Sequence, residues 1–275
     1  MREDFIEFKE YYREAAAKVP ADSFFRQTMN HKFKHSVEVL HIGQTILHNT
    51  PELKNASPEF IKLAETALLF HDVGRFEEAY KQYKAQKKGI IIAASSNIYD
   101  HGLIGYNLLK KNPKYNDMRI LFALKWHGKM PEEITASTDW KKATSSPDFA
   151  SIKQILLLVR DADKLANLYH IKQNNQLEKD LFYRQLTKEA MFSPLSPAVW
   201  QQFSERRTIL FSNVYSFADR ILLVLSWIFD LNYQATKQIF NNNGYTEYLL
   251  DLLSKYHQNA NDISKITSII KEQKI

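Results

Sequence analysis

The chain has 275 residues, no cysteine and a formal net charge of +6 at pH 7. Disulfides, thiolate nucleophiles and cysteine-bound zinc are thereby excluded, which leaves His, Asp and Glu as candidate metal ligands. Seven glycines and eight prolines are too few for turn-dense β architecture, whereas 44% hydrophobic and 25% charged residues suit a globular chain that buries its own core.

Leu, Lys, Gln, Glu and Ala are abundant helix formers, so helices are expected almost throughout. Residues 3–18 predict an opening amphipathic helix, charged throughout and lacking the apolar stretch of a signal peptide. Residues 31–48 predict a second, with His35, Val39, Ile42 and Ile46 on one face. Ser57 caps a third, Pro58 takes its first position and Glu59 its first turn. That helix runs to about Asp72, where Gly74 ends it. Residues 77–99 are ambiguous: the basic KQYKAQKKG, read as loop, precedes the apolar IIIAASS. Asp100 caps a helix to about Lys111, closed by Asn112-Pro113, and Asp117 caps another that ends at His127-Gly128. Residues 135–149 are polar and predict a loop, followed by an apolar helix over about 150–170. Further helices follow to 275, broken at SPLSP (193–197) and NNNG (241–244). The longest apolar run, Ile221 to Phe229, is far short of the roughly 20 residues a bilayer span needs, so a cytoplasmic protein without membrane contact is expected. The pattern describes one all-α domain over 1–275, a helical bundle whose C-terminal helices (about 176–275) pack on a core at about 30–170.

The string ALLFHDVGRF carries the densest chemistry. Ala64, Ala67, Leu68 and His71 share a stripe, which turns His71 inward. A buried Asp72 beside it needs a compensating cation, and imidazole with carboxylate suits Fe, Mn or Zn. His35 heads an apolar face, His101 shares one with Ile104, Gly105 and Leu108, and His127 ends its helix. Each of these alone is equally a core or helix-end histidine. In LLLVRDADKLANL, Asp163 sits in a helix apolar nearly all round and also needs a cation. Asp161 lies about 200° away around the axis and reads as an exposed charge or a partner for Arg160 or Lys164.

The order His, His-Asp, Asp on successive helices resembles the HD-domain superfamily. That resemblance implies a divalent metal on His35, His71, Asp72 and Asp163, since in DADKLANL the second acid matches the family's closing ligand. His101 in DHGLIGYNLL and His127 in ALKWHG stand where many members carry two histidines for a second metal. His-Asp-Val-Gly-Arg resembles the HD-x-G-(Lys/Arg) form of phosphodiesterase members. No Gly-Tyr-Pro follows His127, unlike the cyclic-di-GMP branch, and the acidic pattern of alarmone hydrolases is missing, although Asn167 stands where those enzymes carry an Asn.

The resemblance implies an enzyme: a metal-dependent phosphohydrolase that cleaves a phosphomonoester or phosphodiester of a small nucleotide-like substrate. One or two divalent ions (Fe, Mn, Zn, Ni or Mg) would activate water, with Asp72 bridging them. Arg75, one turn on, is a phosphate clamp or an ion pair with Glu77 or Glu78. Asn167 and Lys125 are candidate substrate contacts, and Trp126 a packing residue or a platform for a base. A diiron oxygenase of the same fold and a non-catalytic binder of nucleotides or nucleic acid stay open as alternatives. Neither a nucleic-acid partner nor an oligomeric state follows from the charge pattern.

Overall fold

The computed structural model describes residues 2–90, 100–183 and 191–273. Among them every regular element is a helix, as the composition required. The backbone divides into two compact units, Met1–Asp163 and Lys164–Ile275.

The first unit comprises α1 (Arg2–Ala16), α2 (Phe24–Asn49), α3 (Pro51–Lys54), α4 (Pro58–Phe70), α5 (Gly74–Lys87), α6 (His101–Leu109), α7 (Met118–Trp126), α8 (Pro131–Ala136), α9 (Thr138–Thr144) and the start of α10 (Phe149–Asn174). Helix α2 packs on α4 and α5, α6 lies between α5 and α7, and α1 closes against α2, α4 and α5. Fully buried Phe8 ties these together, edge-on to Phe70 (5.4 Å between ring centroids) and near Phe76 (5.5 Å). Each such ring removed from water contributes about 1.5–3 kcal/mol. Starts are set locally: Ser57, Asp100 and Asp117 accept from the backbone N–H of Phe60, Leu103 and Arg119.

Three expectations require correction. Residues 135–149 are not a loop, because α8 and α9 occupy most of the stretch. Pro131 takes the first position of α8, and Ser137 Oγ accepts from Trp140 N at 3.0 Å to start α9. Ile134 and Ala143 then enter a core with Phe122, Ile152 and Leu156. The lysines from Lys81 to Lys87 lie on helix α5 rather than in a loop; the ambiguous stretch at 91–99 lies outside the described residues. Gly74 is not a left-handed helix stop but the first residue of α5. Its missing side chain serves packing: a Cβ there would lie 2.0 Å from the His101 carbonyl oxygen and 2.7 Å from the Gly105 amide nitrogen.

The second unit holds the end of α10, then α11 (Gln176–Tyr183), α12 (Pro197–Ser204), α13 (Phe217–Leu225), α14 (Gln234–Asn242), α15 (Tyr245–Tyr256) and α16 (Ala260–Lys271). Helix α15 packs on α13, α14 and α16, and α12 on α13. The two sequence breaks are real. Buried Asp219 accepts from the N–H groups of Ser196, Tyr215 and Ser216 and fixes the first, while Gly244, at φ 60°, makes the second. No described helix is long and apolar enough to cross a membrane.

Candidate metal centre

Helix α4 stops at Phe70, and His71-Asp72-Val73 form a turn before α5 begins at Gly74. His71 and Val73 keep right-handed helical angles through this turn, and the adjacent His71 and Asp72 side chains are both buried there. Around it stand His35 from the middle of α2, His101 at the start of α6, His127 at the end of α7 and Asp163 on α10. All six candidate ligands thus come from the first unit.

His71 is fully buried, and His35, Asp72 and His127 are buried too. His35 Nε2 lies 2.9 Å from Asp163 Oδ1, and His71 Nε2 lies 3.8 Å from the same oxygen. His71 Nε2 is also 3.7 Å from Asp72 Oδ2. On the other side, Asp72 Oδ1 lies 3.4 Å from His101 Nε2 and 3.7 Å from His127 Nε2. The last two nitrogens are 3.2 Å apart. Two overlapping groups able to hold a metal result: His35, His71 and Asp163, and His71, Asp72 and His127. Asp72 faces both sides of the cluster, one oxygen to each.

The tautomers follow from the backbone. His71 Nδ1 sits 2.9 Å from the Leu68 carbonyl, and His127 Nδ1 sits 2.9 Å from that of Leu124. A carbonyl only accepts, so both Nδ1 atoms carry the proton and both Nε2 atoms present lone pairs inward. His71 Nε2 is buried with no hydrogen-bond partner among the described residues. Such an orphan is costly in an apolar interior, and a cation at the centre would satisfy it.

Charge supports the same fit. Burial drives His71 down to about 4, against the pull of Asp72 and Asp163, and drives His101 down to about 3. Both are neutral, ligand-ready imidazoles near pH 7. Burial alone would raise Asp72, but the neighbouring cations, Lys32 above all and then Arg75, outweigh it and hold the carboxyl well below its usual range. Asp163 is likewise held low against burial, chiefly by the hydrogen bond from His35. Two ionised carboxylates beside the neutral imidazoles of His71 and His101 leave negative charge in the pocket, and the nearest ammonium is that of Lys32, 2.9 Å from Asp72 Oδ2. That ammonium stands where a metal's charge is wanted. The donor set and the unsatisfied Nε2 fit a divalent ion.

The remaining expected residues divide. Arg75 sits at the cluster: Nε is 3.5 Å from Asp72 Oδ1, and Nη1 donates to Glu78 at 2.8 Å. Lys125 does not join it; the ammonium lies 2.5 Å from Asp139 and over the rings of Tyr106 and Trp126. Asn167 follows Asp163 by one turn on α10. Asp161 is fully buried, which corrects its reading as an exposed charge, yet of the two acids Asp163 is the one in the metal-holding group.

Two supporting residues escaped the sequence reading. Lys32, three positions before His35 in HKFKH, shares its helix face, a spacing that could have revealed it. Buried Arg160 donates to the carbonyls of His127 (2.8 Å) and Lys129 (2.5 Å) and fixes the chain just past α7. Its acceptors are more than thirty positions away, so no local pattern signals it.

The family model of the HD domain matches residues 33–168, about half the chain, and spans all six candidate ligands. No match was found among curated proteins or among solved structures.

Proposed function

We propose, from the HD domain that residues 33–168 form, that this protein is a metal-dependent phosphohydrolase acting on a small nucleotide-like phosphoester. The HD domain is the all-α fold of a superfamily of metal-dependent hydrolases. The observation that carries the reading is the meeting of four imidazoles and two carboxylates around the orphaned His71 Nε2.

His35, His71, Asp72, His101, His127 and Asp163 would hold one or two divalent ions. When bound, the metal supplies Lewis acidity and a water whose pKa is brought toward ~7. The protein's own groups prepare the rest. The carbonyls of Leu68 and Leu124 orient His71 and His127, so that ligation costs no rearrangement. Asp72 stays ionised and offers an oxygen to each side of the cluster. Glu78 anchors one arm of Arg75 while its Nε faces Asp72, leaving further N–H groups of the fork to grip a phosphoryl oxygen. Lys32, 2.9 Å from Asp72 Oδ2, would supply a second cation beside the phosphate.

The test is a panel of phosphomonoesters, phosphodiesters and nucleotides offered to protein loaded in turn with Mn, Fe, Zn, Ni and Mg. Phosphate release that a chelator abolishes and His71→Ala removes is the expected result. Oxygen consumption by iron-loaded protein with no phosphate release from any compound would sink the reading.

A further inference from the structure

A cavity of about 290 Å³ opens in the first unit between α6, α7 and α9. Tyr106, Lys110, Lys125, Trp126, Asp139 and Lys142 supply its aromatic and charged lining. It faces away from the metal centre. On α6, Tyr106 follows His101 by five residues, about 140° around the axis; on α7, Lys125 precedes His127 by two, about 200°. The candidate active site therefore does not account for it.

Its walls are fixed and its charge is one-sided. Trp126 packs against the buried cluster around Phe122, and its Nε1–H donates to Asp139 at 3.2 Å. The Lys125 ammonium, held by the same carboxylate at 2.5 Å, lies 5.3 Å from the Tyr106 ring centre and 5.4 Å from that of Trp126. The Lys110 ammonium lies 5.4 Å from the Tyr106 ring centre, and Lys110, like Lys142, is solvent-exposed. Three ammoniums against one carboxylate leave a charge of +2. Rigid aromatic faces accept a planar ring, and exposed ammoniums accept phosphate as point charges. The volume lies at the lower limit for ligand pockets, roughly 300–1,000 Å³, which suits one base with one phosphate rather than a polymer.

We propose that this pocket is a second ligand site that binds a nucleoside monophosphate, its base against Tyr106 and Trp126 and its phosphate between Lys110 and Lys142. The site needs neither the metal nor the hydrolase reading, so the two fail separately.

Calorimetric titration of the full chain with adenosine monophosphate, with and without EDTA, tests it. One site per chain that survives EDTA is expected, with adenosine and ribose 5-phosphate each binding about tenfold weaker or worse. The surface double variant K110A/K142A should bind about tenfold more weakly and keep its wild-type melting temperature. Asp139→Asn, which frees the charge of Lys125, should bind more tightly. Loss of the site in EDTA, unchanged affinity in K110A/K142A, or tighter binding of a ten-nucleotide RNA than of the monophosphate would each overturn the proposal.

Discussion

Replacing Gly74 with alanine drives a methyl group into backbone. The new Cβ would stand 2.0 Å from the His101 carbonyl oxygen and 2.7 Å from the Gly105 amide nitrogen. Even attractive carbon–oxygen contacts settle at about 3.3–3.6 Å, so α6 must retreat from α5 by roughly 1 Å or more. Neither obstacle is the end of a flexible side chain, and the movement cannot be absorbed locally. His101 heads α6, with Nε2 3.4 Å from Asp72 and 3.2 Å from His127, so the retreat carries it out of the cluster. Overpacking of this kind costs about 1–3 kcal/mol of stability. A misplacement of about 1 Å at a reacting centre costs on the order of 100-fold in rate. Melting temperature, metal content and phosphate release should all fall, with metal held by His35, His71 and Asp163 outlasting that near His101. Gly105→Ala is the graded control. Its Cβ would meet a Val73 methyl at 3.3 Å and Gly74 N at 3.4 Å, so a much smaller loss is expected. A Gly74→Ala protein with wild-type melting temperature and full metal content would refute the packing argument.

Asp163→Ala should lose bound metal and activity, whereas Asp161→Ala, at a fully buried position, should lower stability while metal per folded chain holds; equal metal loss in both would overturn the assignment of the ligand. Lys32→Met should destabilise the metal-free protein by about 1–3 kcal/mol, because it strips a counter-charge from buried Asp72. The metal-loaded protein should change less, since the ion supplies that charge, and equal shifts in both melts would contradict the substitution of ion for ammonium. Acid should weaken the metal-free protein. His71 takes a proton near 6.5 when unfolded but near 4 when folded, so between those values the unfolded state binds more protons and stability falls as pH falls. The loss from this one group is about 3 kcal/mol across that window, readable by urea unfolding at pH 7, 5.5 and 4.5. A flat stability over that range would contradict the buried, neutral state of His71.

What could be read from the sequence was local or carried by ligand order. Ser57, Asp100 and Asp117 declare helix starts because their side chains bond backbone groups two or three residues on. The six candidate ligands were picked out by their order and their likeness to a known family, and the structure brings them together; periodicity alone left His35, His101 and His127 equivocal. The misses are tertiary. Gly74 looks like a helix stop until α6 is laid against it. Helices α8 and α9 carry only Ile134 and Ala143 as buried residues, too few for a period to emerge from the polar remainder. The opposed positions of Asp161 and Asp163 on a helical wheel suggested one inside and one outside, but α10 is buried on the Asp161 face as well. Lys32 was passed over because lysine is ordinarily solvated, and only the burial of Asp72 shows why it turns inward.

Anomalous scattering from crystals of the full chain soaked in manganese would interrogate the centre directly. The account requires density bounded by His71 Nε2, Asp72 and at least one of the pairs His35–Asp163 and His101–His127, with the Lys32 ammonium withdrawn from Asp72. Crystals saturated with the ion yet showing no peak there, and Lys32 still against Asp72, would contradict it.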